Sequence, residues 1–272
     1  MKTTFHINAE TGDITSYLWI DQCNPPPIID SIAEFANRIE TKETPPLKSI
    51  GIAMPIEFPS DRYESVSNQM EKYSKGPEDI VKIWKEFAAG WKAFAYRFFA
   101  CREHCREFTK SIVKASRTPE PVERYLQDKE LYGFYVNGIS SVESYFYGIY
   151  MIGALKIPSE FLFNCKAIQS IKPAYVLKII KKISFLKDQK FVKQGKKILR
   201  NKTYKQWNYI RNILVHRSAP GRNIYTTNDN VEWQINKIPI DNYTTITPYA
   251  WLASELTQLV TDTDDFLTSS VI

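Results

Sequence analysis

The longest regular pattern in the chain begins after Pro77. Ile80, Trp84, Phe87, Trp91, Phe94, Phe98, Cys101, Cys105, Phe108 and Ile112 follow one another at alternating spacings of four and three. Such spacings return to one side of a helix at every turn, so they predict one helix to about residue 115 with a single apolar seam. Pro119 and Pro121 interrupt it. Leu131, Tyr135, Gly138, Val142, Tyr145, Ile149 and Ile152 then form a second seam, which predicts a helix over 122–156. The other faces of this second segment are also largely apolar. A helix of that kind belongs in the middle of a bundle, and here it pairs antiparallel with the first.

Shorter elements follow. Pro158 and Pro173 mark helix starts, and short helices are expected over 160–170, 174–186 and 188–199, the last with Phe191, Ile198 and Leu199 inward. Residues 203–217 form a helix with Tyr204, Trp207, Ile210 and Leu214 as its core stripe, ended by Pro220-Gly221. Thr247 and Pro248 open a last helix to about residue 267. Two hairpins are expected. One joins Phe5-His6-Ile7 to Tyr17-Leu18-Trp19-Ile20, and the other joins residues 223–226 to 231–235 around Asn228-Asp229. A short helix is expected over 28–40, and residues 41–76 read as an irregular, proline-containing stretch with one short strand at Gly51–Met54. The expected architecture is mainly α: a helical bundle with a long antiparallel helix pair and small β-hairpin additions at the N-terminus and before the last helix. Residues 1–76 form an N-terminal mixed strand and helix covering region, and residues 77–272 the helical domain.

Composition supports a packed core, with 43% hydrophobic and 14% aromatic residues in 272. The four cysteines, at 23, 101, 105 and 165, have no disulfide-framework spacing, and polar residues follow Met1-Lys2-Thr3-Thr4. Both observations point to a reducing, cytoplasmic setting. Residues 131–155 come closest to a membrane span, but Asn137 and Glu143 interrupt them, so no membrane association is expected. Cys101, His104 and Cys105 resemble a metal-ligand cluster, yet both cysteines fall on the seam and no fourth ligand follows at a suitable spacing. They read as core residues. With no Gly-rich phosphate loop or helical His-Glu metal pattern, no cofactor is expected.

Charge changes the picture most. Residues 172–205 carry eleven lysines and Arg200 against Asp188 alone, a net +11 in a chain whose total is +6. Solubility is served equally well by mixed signs, so this asymmetry points to a polyanionic partner. The run leads into Arg211-Asn212-Ile213-Leu214-Val215-His216, which holds the last of three histidines. An arginine and a histidine suffice for one reaction. In RNA cleavage the ribose 2′-hydroxyl attacks the adjacent phosphorus, so the protein needs only to move protons and to stabilise a charged pentacovalent state. Histidine suits the first task and a guanidinium the second. Five helical residues separate the pair, about 500° of rotation and roughly 7.5 Å of rise, so the two side chains diverge by about 140°. The helix must loosen, or Arg211 must wrap across, or a dimer must bring two such helices together. Glu143 is the only acid between Glu130 and Glu160, and such a carboxylate either finds an arginine or lies at an exposed edge.

The sequence Arg-polar-x3-His on a late helix of a helical bundle resembles the motif of the HEPN superfamily (higher eukaryotes and prokaryotes nucleotide-binding). The helix holding Asn137-Gly138-Ile139-Ser140-Ser141-Val142-Glu143 is similar to the earlier core helix of such domains, and the Trp251-to-Phe266 helix to their last element. The resemblance covers residues 77–272 and is strongest to stand-alone bacterial members with added strands. It implies a metal-independent endoribonuclease acting as a homodimer with a composite active site, in the manner of toxins and phage-defence effectors, with an antitoxin or sensor protein as a further possible partner. Under that reading Arg211 holds the scissile phosphate and His216 transfers protons. Asn212 positions substrate or orients His216, and Glu143 tethers Arg211. Arg217, Arg222, Lys196, Lys197, Arg200, Lys202 and Lys205 are the expected RNA-binding side chains. The competing reading is a non-catalytic module whose basic face binds nucleotide, RNA or an acidic partner.

Overall fold

The two seams become the two longest helices. A computed structural model describes residues 6–7, 14–16, 43–114, 120–216, 221–224, 231–235, 238–240 and 245–269. Among these, the protein is mainly helical with small antiparallel sheets. The helices are α1 (Ser60–Glu71), α2 (Glu78–Lys114), α3 (Pro121–Lys156), α4 (Cys165–Gln169), α5 (Pro173–Ile180), α6 (Lys190–Arg200), α7 (Lys202–His216) and α8 (Ile246–Ser269). No helix among the described residues is long and apolar enough to cross a membrane.

Strand β1 (His6–Ile7) pairs with β2 (Ile14–Ser16), and β3 (Glu43–Pro46) with β4 (Ala53–Pro55). Strands β5 (Gly221–Ile224), β6 (Val231–Ile235) and β7 (Ile238–Ile240) form an antiparallel meander in that order. In the first expected hairpin, His6–Ile7 pairs with Ile14–Ser16. Tyr17–Ile20 and the helix expected at 28–40 lie outside the described residues. Strand β7 had no clear sequence signal because Pro239 interrupts so short a run.

Contacts divide the chain into two compact units. One comprises residues 1–42, 100–137 and 206–251, and the other residues 43–99, 138–205 and 252–272. In the second unit Phe87, Trp91, Phe94 and Phe98 of α2 are buried with Phe58, Tyr63 and Tyr145. Tyr63 stacks on Trp91 at 5.4 Å between ring centroids. The Trp91 indole N–H donates to the Tyr63 carbonyl, and the Tyr63 hydroxyl donates to the Trp91 carbonyl, each at 3.2 Å. Two glycines let α2 and α3 approach here. A Cβ at Gly90 would stand 2.5 Å from the Tyr147 ring, and one at Gly148 would stand 2.8 Å from Trp91. Residues 43–76, expected to cover the bundle, belong to this unit. Buried Asp264 of α8 accepts hydrogen bonds from Arg62, Ser65 and Gln69 of α1, at 2.8, 2.5 and 2.9 Å.

The turns after α5 correct one expectation. The helix predicted over 174–186 ends at Ile180, and the chain tightens into i→i+3 bonds from Lys182 to Ile179, Ile183 to Ile180 and Leu186 to Ile183. Ile183 and Leu186 are nevertheless buried. Apolar periodicity recorded which residues face inward, and a 3-fold turn keeps nearly the same facing as an α-helical one.

In the first unit, α7 is seated on α3 by Trp207. Its ring stacks on Phe134 at 4.8 Å, and its N–H donates to the Tyr135 carbonyl at 3.2 Å. Cys101 and Cys105 are buried as expected, and burial pushes both thiols up, Cys105 to about 12. His104 turns elsewhere: its Nδ1 lies 2.6 Å from Glu130 Oε2, and its ring packs on Gly133, where a Cβ would come within 2.5 Å of Nε2.

Candidate functional site

Helix α7 starts where Asn201 Oδ1 accepts the Thr203 backbone N–H at 2.7 Å, an N-cap that satisfies one otherwise unpaired donor. From there the helix is set by burial. Trp207, Ile210, Ile213 and Leu214 face inward, while Tyr209, Asn212, Val215 and His216 are exposed. The three residues 209, 212 and 216 stand at i, i+3 and i+7, so they share one face. Arg211 is half-buried beside it.

The helix is continuous through His216, so it does not loosen between Arg211 and His216. The arginine instead reaches round. Its Nη1 donates to Asn212 Oδ1 at 3.1 Å. Seen down the axis, with Arg211 at 0°, Asn212 lies at about 100° and His216 at about 140°. The asparagine between them therefore draws the guanidinium toward the histidine's side of the helix. This gives the polar residue after the arginine a geometric task that spacing alone did not specify.

The remaining expected residues lie on other elements. Glu143 is half-buried on α3. Arg217 and the side chain of Arg222 lie outside the described residues. Arg200, Lys202 and Lys205 are exposed, and Lys196 donates to the Lys187 carbonyl at 3.3 Å. Lys197 pairs at 2.9 Å with Glu255, which is buried and also accepts from Gln194. With Lys190 and Lys193 it lines an open groove whose other wall carries Glu255 and Asp262.

Helix α6 explains how so many lysines are displayed at once. Phe191, Val192, Gly195 and Ile198 make its buried stripe, with Leu199 only half-buried, and Lys190, Lys193, Lys197 and Arg200 are exposed. Gly195 sits so close to Phe146 that a Cβ would stand 2.8 Å from the ring. Lys172, Lys178, Lys181, Lys182 and Lys187 are exposed in α5, beside it and in the turns that follow.

Sequence reasoning missed Tyr209. It is 50% exposed on the same face as Asn212 and His216, and its spacing from both was the available signal. An exposed tyrosine ring presents a flat, largely apolar surface. Val215, 39% exposed, adds an apolar neighbour. Comparison with known proteins brings no relative: no family model, no curated protein and no solved structure matches the chain.

Proposed function

We propose that this protein is a metal-independent endoribonuclease of the HEPN type, probing RNA with the face of α7 that holds Tyr209, Asn212 and His216. The observation that carries this reading is the Arg211–Asn212 hydrogen bond, which turns the guanidinium toward the side where His216 is exposed. In the reaction, His216 accepts the proton of the ribose 2′-hydroxyl as O2′ bonds to phosphorus. The P–O5′ bond breaks, and the leaving oxygen takes a proton from a second imidazole. Products are a 2′,3′-cyclic phosphate and a 5′-hydroxyl end. Arg211 stabilises the charge on the non-bridging oxygens.

One described chain supplies one such histidine, so the second comes from His216 of another copy in a homodimer. Exposed Val215 and Tyr209 flank the pair and supply apolar surface for that contact. The lysines of α5 and α6 draw RNA in by long-range attraction. Action as a toxin or phage-defence effector, restrained by an antitoxin or sensor, accords with such an enzyme.

The test is incubation of wild type and His216→Ala with total RNA and a structured tRNA in EDTA, followed by end-group analysis. Cleavage by wild type alone, leaving cyclic phosphate ends, is the expected result. Salt-sensitive RNA binding by both proteins without cleavage by either would replace the enzyme with a non-catalytic binding module.

A further inference from the structure

A second site lies in the other unit and owes nothing to the nuclease reading. Between the end of α3, the turns after α5 and the last turns of α8 is an apolar cavity of about 40 Å³, room for roughly three water-sized groups. Ile152, Phe161, Ile180, Phe191 and Phe266 line it, and Phe185, 46% exposed, forms its rim. Thr263 contributes a hydroxyl already committed to the Leu259 carbonyl at 2.8 Å and to Tyr145 at 2.7 Å. The one charged side chain that lines the cavity is Lys156.

Lys156 ends α3 half-buried, with its methylene stem along the cavity. Among the described residues no carboxylate pairs with it. The charge that acts on it is another cation, Lys72, whose ammonium stands 5.2 Å over the Tyr73 ring. Burial, and then the repulsion of Lys72, hold the Lys156 ammonium below the usual lysine range. A charge in this position gains from an anion, and the space beside it accepts only hydrocarbon.

We infer that this cavity binds a small free carboxylic acid with an unbranched apolar tail, the tail entering between Phe161, Ile180 and Phe266 and the carboxylate resting on Lys156. No bond is made or broken. Tail length sets affinity until the cavity is filled, by up to about fourfold for each methylene.

The experiment is calorimetric titration of the full-length protein with butanoate, hexanoate and octanoate, with hexanol and hexylammonium as head-group controls. Affinity should rise from butanoate to hexanoate and then level off, with hexanol weaker and hexylammonium silent. Lys156→Met keeps the stem and removes the charge, so it should weaken hexanoate by about tenfold or more and leave hexanol unchanged. Lys156→Arg should restore binding. Equal binding of hexanoate and hexanol, an unaffected Lys156→Met variant, or no binding of any carboxylate would overturn the assignment. So would a protein that ignores hexanoate yet sediments with phosphatidylglycerol vesicles, since the cavity would then serve a lipid surface.

Discussion

Glu130 is held by the His104 ring at 2.6 Å and the Lys129 ammonium at 3.1 Å. Burial alone would raise its carboxyl; the hydrogen bonds from His104 and Lys129 outweigh it, and the group titrates below 4.5, the ordinary glutamate value. A carboxylate lowered on folding stabilises the fold above its unfolded value, and that contribution is lost as pH falls through the folded value. Chemical denaturation of wild type and Glu130→Gln should therefore show a gap that is full above about pH 4.5 and closes in more acidic solution. A gap that widened on acidification would remove this role from Glu130. His104 itself shows why residue type underdetermines role. The sequence offered it as a possible metal ligand, and the structure turns its Nδ1 to a carboxylate and its Nε2 onto Gly133.

At the scale of elements, the contact between α2 and α3 depends on positions where a methyl group does not fit. Gly148 faces Trp91, which is itself fixed by the stack and reciprocal hydrogen bonds with Tyr63. Gly148→Ala must displace that indole, at a cost of about 1–3 kcal/mol. Urea denaturation would report it as a lower midpoint with an unchanged slope. An alanine variant as stable as wild type would mean the helices separate freely at this point. Helix α7 follows the same logic: Trp207 is seated on α3, and that seating decides which side of the helix is left to solvent. The exposed face of Tyr209, Asn212 and His216 is a consequence of where the tryptophan went.

For the whole molecule, the dominant feature is charge held in one part of the chain. Residues 172–205 carry +11 while the total is +6, so the remainder is acidic. If RNA is the partner, binding should weaken linearly in log affinity against log salt, and replacing Arg200 and Lys202 together with alanine should reduce the slope by about 0.7 for each cation lost. Filter binding across a salt series measures this, and a slope unchanged by the double substitution would place RNA elsewhere on the surface. Lys197 is a poorer choice for that test, because Glu255 already neutralises it.

Much of this protein was determined by sequence alone. The alternation of three and four fixed two helices of about 36 residues to within a residue or so at most ends, because each buries a continuous stripe over some ten turns. The clustering of lysines and the spacing of Arg211, Asn212 and His216 are likewise covalent facts. Tertiary structure alone decided the rest. Whether Ile183 and Leu186 were helical was invisible, since both conformations bury the same residues. The direction taken by the Arg211 side chain was also invisible, because a guanidinium on a long stem has several reachable partners and only its surroundings choose Asn212. The cavity beside Lys156 was the least legible of all. It is built from α3, α5, α6 and α8 at once, and a void exists only where side chains distant in sequence fail to meet.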